Sequence, residues 1–143
     1  KRRAGAKPKA GGEVNLGKLL KTMRPSLLSK DEYVFCMVPH GSNIYQYDPL
    51  GMFREKEGVT LFLSQSMAEF HRLQYDGAPM KCITLNCYSS LEAVGLTAAA
   101  SRVLADADIP ANVVAAFSHD HIFVPANKAK EAIAKLQGLK KSA

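Results

Sequence analysis

Between residues 82 and 139 the apolar spacing switches from strand-like to helical and back, which constrains the fold more than any other feature. Cys82 to Tyr88 (CITLNCY) reads as a strand. Leu96, Ala99, Ala100, Val103, Leu104 and Ala107 then fall on one helical stripe, which Pro110 closes. NVVAAFS (112–118) and HIFV (121–124) follow as two strands with a very short connection. A last helix over Ala126 to Leu139 turns Ala129, Ala132, Ile133 and Leu136 inward. The order β-α-β-β-α implies an α+β, ferredoxin-like arrangement, with helices on one face of an antiparallel sheet.

The first half offers α-β-β-α. Val14, Leu16, Leu19, Leu20 and Met23 fit a short amphipathic helix that Pro25 ends. Tyr33 to Val38 (YVFCMV) and Val59 to Leu63 (VTLFL) read as strands, separated by a long polar loop over 39–51 and a turn at Gly58. Ser66, with Glu69 three residues on, predicts a capped helix reaching Leu73. VTLFLSQSM and ITLNCYSSL share a strand-then-serine design, a hint of two related units. The expected organisation is a flexible basic tail over 1–12, an N-terminal half over 13–80 and a C-terminal half over 81–143.

Composition excludes several classes. With 143 residues, 47% hydrophobic and 22% charged, the chain can bury a core and is not a disordered polymer. No window approaches the ~18 apolar residues of a membrane span. The net charge of +6 sits at the two ends, and the middle is mildly acidic. Basic ends without interleaved aromatics argue against nucleic acid. The first dozen residues lack the apolar core of a secretory signal. Cys36, Cys82 and Cys87 lie in apolar runs without a C-x-x-C pair, so neither a disulfide framework nor structural zinc is expected. A reducing, cytoplasmic setting follows. No G-x-S-x-G elbow, Walker loop or G-x-G-x-x-G occurs, so the expectation is a protein that is not an enzyme and needs no cofactor.

Two constellations stand out. In Ser89-Ser90-Leu91-Glu92-Ala93-Val94-Gly95-Leu96 a strand gives way to a helix, with Ser89 and Glu92 at capping-box spacing. The free N–H groups of such a first turn favour an anion, and Gly95 lets a ligand approach the backbone. In Ser118-His119-Asp120-His121 polar groups interrupt two apolar strands. A turn at His119-Asp120 would place both on a hairpin tip. A strand running through would put His119 and His121 on one face, where an H-x-H pair with Asp120 could bind metal, His40 and His71 completing the set only by elimination.

SSLEAVGLTAA followed by IPANVVAAFSHDHIFVP resembles the ACT domain family, closest to the short stand-alone ACT-domain proteins of bacteria and fungi. The segment is similar to the regulatory part of aspartate kinases, and the cytosolic arginine sensor belongs to the same wider group. The resemblance runs from about Leu16 to Leu139. It implies a βαββαβ fold, amino-acid binding and dimerisation. Carried over, it names Ser89, Ser90, Leu91, Val94, Gly95 and Leu96 on one side of a ligand. Asn112, Phe117, Ser118, His119, Asp120 and His121 stand on the other. The helix start would hold the ligand carboxylate, and Asp120 its ammonium group. The expected role is a non-enzymatic sensor of an amino acid or similar small ligand, working as a homodimer. The alternative is a ligand-free interaction or oligomerisation module, and a His-metal enzyme comes third.

Overall fold

The computed structural model describes residues 11–142. The expected basic tail therefore lies outside the described residues as far as residue 10. Gly12 is not loose: it packs against the backbone of Ser89.

Helix α1 (Leu16–Thr22) is capped by Asn15, whose side chain accepts from the Lys18 N–H. Strands β1 (Ser26–Leu27), β2 (Tyr33–Val38), β3 (Gly51–Arg54) and β4 (Val59–Ser64) follow, then α2 (Gln65–Phe70). The second half comprises β5 (Met80–Thr84), α3 (Leu96–Asp106), β6 (Asn112–Ala115), β7 (Asp120–Pro125) and α4 (Ala129–Gln137). Short 3-10 turns cover Ile44–Tyr47, Ala126–Lys128 and Gly138–Ser142.

All strands join one antiparallel sheet in the order β3-β4-β2-β5-β7-β6. β2 meets β5 at the single pair Tyr33↔Met80. β1 lies further along the same edge of β5, with Ser26 opposite Thr84 and Leu27 opposite Ile83. Backbone bonds from Arg24 N to Leu85 O (2.9 Å) and Leu28 N to Cys82 O (2.8 Å) extend that ladder. Each half is thus completed by the other. β5 serves as the last strand beside β2, and β1, from the start of the chain, serves as the last strand beside β5.

Helices cover one face. α1, α3 and α4 bury Leu19, Met23, Leu104 and Leu136 against Ile83, Ile122 and Val124. Burying each such side chain contributes roughly 1.5–3 kcal/mol. α2 lays Ala68 on Val34, Cys36, Leu61 and Leu63. These residues alternate along their strands with Tyr33, Phe35, Phe62 and Phe123, whose rings cluster on the opposite face (Phe35–Phe62 centroids 4.7 Å, Phe35–Phe123 5.1 Å).

The expected boundaries shift in several places. The strand expected over 82–88 ends at Thr84, because Asn86 takes a left-handed backbone (φ 53°) and the chain leaves the sheet. The helix expected from Ser89 begins at Leu96, with Gly95 as its N-cap. The α2 cap is Ser64, whose Oγ accepts from Met67 N, and not Ser66. The strand expected through Ser118 stops at Ala115. The hairpin tip is Phe117-Ser118, closed by Ala116 N donating to His119 O (3.1 Å), so His119-Asp120 does not form the turn. β1, β3 and the 3-10 turn inside the long loop had no counterpart in the sequence reading.

Candidate ligand-binding site

The segment from Leu85 to Gly95 leaves the sheet and is pinned from both sides. The Asn86 side-chain amide donates to Arg24 O and Ser26 Oγ, each at 2.7 Å. Glu13 bridges to the next turn: its N–H donates to Tyr88 O and its carbonyl accepts from Ser90 N, both at 3.0 Å. Ser90 then shapes a local turn, its Oγ accepting from Glu92 N (3.1 Å) and its carbonyl from Ala93 N (3.0 Å). Ser89 is 8% exposed beneath this crossing.

These contacts form a pocket of about 330 Å³ whose walls include Gly12, Tyr88, Ser89, Ser90, Leu91 and Phe117. Four residues picked from sequence, three before α3 and one on the β6–β7 tip, line the same cavity. Leu91 and Phe117 give it an exposed apolar rim. Ser89 and Ser90 add the polar part of its lining.

The other residues named from sequence disperse. Val94 points to solvent at 83% exposure, and Leu96 is buried in the core. Gly95 has φ 103°, and a Cβ there would stand 3.0 Å from Leu16 Cδ2, so it serves backbone shape and helix packing. Asn112 lies at the far end of β6, its amide 3.8 Å from Met80 Sδ. Ser118 sits on the hairpin tip, half-buried. His119 donates from Nδ1 to the Cys87 carbonyl (3.3 Å) and sets its ring edge-on to Tyr88. His121 belongs to the sheet face away from the helices, where Nδ1 lies 2.9 Å from Thr84 Oγ1.

Asp120 is buried, and among the described residues no hydrogen bond reaches its carboxylate. Burial holds that carboxyl above the usual carboxylate range, while His121 and His119 pull it down. Burial likewise lowers the His121 imidazole, with His119 acting in the same direction and Asp120 opposing. The Cys87 thiol is pushed up to about 11, by burial first and Asp120 second. That is the setting of an inert thiol. Among the described residues no three His, Cys, Asp or Glu side chains converge on a metal position. His40 faces the Lys56 carbonyl, and His71 lies between the rings of Tyr47 and Phe70.

Comparison with known proteins places this geometry in a family. Two ACT domain profiles match the sequence, one over residues 11–79 and the other over 78–138. A crystal structure of a Vibrio cholerae protein of unknown function, described as a possible transport protein, is 42% identical. The match covers 87% of this chain and 95% of that one, with TM-score 0.78. The chain belongs to the ACT-domain family.

More distant structures share the ACT fold. An Agrobacterium tumefaciens protein is 15% identical with TM-score 0.68, over 82% of this chain and 89% of that one. Aspartokinase III from E. coli, solved with aspartate and ADP, is 12% identical with TM-score 0.57, over 82% of this chain and 32% of that one. No curated protein matches the sequence. ACT domains as a family are regulatory, small-ligand-binding modules rather than catalytic ones, and they often oligomerise. Among the described residues no helix is long and apolar enough to cross a membrane.

Proposed function

We propose that this ACT-domain protein is a non-enzymatic sensor that binds an amino acid or a similar small ligand in the Ser89–Leu91/Phe117 pocket. One observation carries the reading. The loop after β5 and the β6–β7 hairpin tip, two segments far apart in sequence, close on one cavity. The Ser89 and Ser90 hydroxyls can donate to a polar head, and Leu91 and Phe117 cover an apolar side chain. Asp120, buried and short of donors, stands on the adjoining strand as a partner for an ammonium group. The working form on this reading is a cytoplasmic homodimer.

The test is a thermal-shift panel of the twenty amino acids and common amine and carboxylate metabolites. A ligand at about 100 times its Kd adds about 2.7 kcal/mol, several degrees in Tm for a chain of this size. Ser90→Trp fills the pocket and should abolish the shift while leaving the fold intact. Gly95 is unsuitable for such a block, since a side chain there is strained. A shift that survives Ser90→Trp removes this site.

A second reading is a ligand-free interaction module. It is favoured by β3 and β6, which among the described residues end the sheet with unpaired edges able to accept a partner strand. A flat ligand panel together with a stable complex captured through those edges would favour it.

A further inference from the structure

The face of the sheet away from the helices holds a second cavity, separate from the Ser89 loop. Its volume is about 400 Å³, and its walls include Leu28, Leu50, Met52, Phe62, Val114 and Phe123. Cys82 and Phe123 form a floor with almost no exposure, while Leu28, Leu50 and Met52 stand part-exposed at the rim. Among the described residues no Asp, Glu, Lys or Arg lines it. One polar side chain, His121, interrupts the apolar lining, and it is held by Thr84 beside it. Thr84 and His121 stand directly opposite in the β5–β7 register, with Thr84 Oγ1 and His121 Nδ1 2.9 Å apart. Thr84 is 5% exposed, and this bond fixes the ring. Among the described residues no hydrogen bond reaches His121 Nε2, and His121 is one of the cavity's lining residues.

We propose that this cavity binds a small neutral molecule with an aromatic or branched aliphatic body and one hydroxyl or carbonyl group, which hydrogen-bonds to His121 Nε2. Size and lining match small-molecule sites, which run to roughly 300–1,000 Å³, mostly apolar, with a few placed polar groups. A free amino acid is a poor fit, because both of its charges would be stripped of water with no counter-charge in the lining. Burial also disfavours the charged form of the His121 ring, which weakens any pairing with a carboxylate. His121 argues against a purely packing surface. A face built only to meet another apolar surface gains nothing from a histidine in its lining. The proposal is independent of the Ser89 pocket.

The experiment is an NMR titration of the full chain with p-cresol, toluene, benzoate and benzylammonium. It follows the methyl signals of Val114 and Leu28 and the imidazole of His121. The expected result is a saturable shift with p-cresol at millimolar concentration or below. Both charged probes should bind at least tenfold more weakly. His121→Phe should abolish the preference for p-cresol over toluene. Ala116→Phe, on an exposed rim position just past β6, should abolish all binding, and Leu50→Trp serves the same purpose if that variant melts early. An absent or non-saturable shift overturns the proposal, as does a shift unchanged in a folded blocking variant. Light scattering that shows a second copy covering these methyls also overturns it.

Discussion

A methyl group on Gly12 would stand 2.4 Å from the carbonyl carbon of Ser89, closer than any real contact allows. The bare backbone of Gly12 lets Glu13 reach Tyr88 and Ser90 and hold the pocket loop in place. Gly12→Ala should therefore cost about 1–3 kcal/mol, through overpacking or loss of the bridge. Denaturant melts measure that loss. Amide exchange at Ser90, whose N–H donates to Glu13, should speed up in the same variant. Unchanged stability together with unchanged exchange would sink this account of the loop.

The exchange between halves makes a fragment informative. Residues 78–142 contain the second sheet half, α3 and α4, but lack Leu19, Leu20, Met23 and the β1 strand that covers one edge of β5. That fragment should show collapsed, poorly dispersed NMR spectra, and adding a peptide of residues 11–32 should restore dispersion. Within the full chain, Leu19→Ala should cost about 2–5 kcal/mol, as for any well-packed core leucine. A fragment that folds cooperatively alone would show that α1 is an accessory.

His121 and Asp120 pull the pH dependence of stability in opposite senses. Burial lowers the His121 pKa, so its contribution is complete above the unfolded value near 6.5 and is lost as pH falls through the folded value. Burial raises the Asp120 pKa, so its contribution is complete below the unfolded value near 3.9 and is lost as pH rises through the folded value. His121→Phe should flatten the loss of stability from neutrality into mild acid. Asp120→Asn should be more stable than the parent at neutral pH and lose that advantage toward about pH 4. Denaturant melts of both variants across that range decide the matter, and parallel curves for parent and variants would contradict it.

The three cysteines offer a chemical readout. All are buried, burial raises the Cys36 thiol, and Cys82 and Cys87 are pushed up to about 11. At pH 8 a thiol near 11 carries about a hundredfold less thiolate than one near 9. Iodoacetamide should leave the native protein nearly untouched and label all three together once denaturant unfolds it. Early labelling of Cys87 alone would mean that the Leu85–Gly95 loop opens independently of the core.

Much of the fold was legible because it rests on short-range spacing. The α3 stripe from Leu96 to Ala107 and the apolar runs Tyr33–Val38 and Val59–Leu63 declare their type through neighbours a few residues away. β3 escaped because an edge strand exposed along most of its length shows no alternation. β1 escaped because two residues carry no period at all. At the candidate site the residue types were readable, and their geometry was not. Ser89 and Glu92 satisfy a capping-box spacing, yet the Ser90 amide goes to Glu13, far away in the chain. His121 stands two residues from His119 in sequence, yet it bonds Thr84 within the sheet while His119 reaches the Cys87 carbonyl outside it.

The sequence by itself therefore determined the main strands and helices, which side chains are apolar, and, through its resemblance to ACT domains, the α+β class of the sheet. These follow from local periodicity and from motifs. Only the tertiary structure decided that α1 and β1 complete the second unit, that Ser89–Leu91 and Phe117 share one cavity, and that Thr84 and His121 stand in an uncovered apolar face. Each of those depends on which distant N–H meets which carbonyl and which face is left without a helix. Such pairings are settled by competition among the whole chain's hydrogen bonds and buried surfaces, and no local stretch records the outcome.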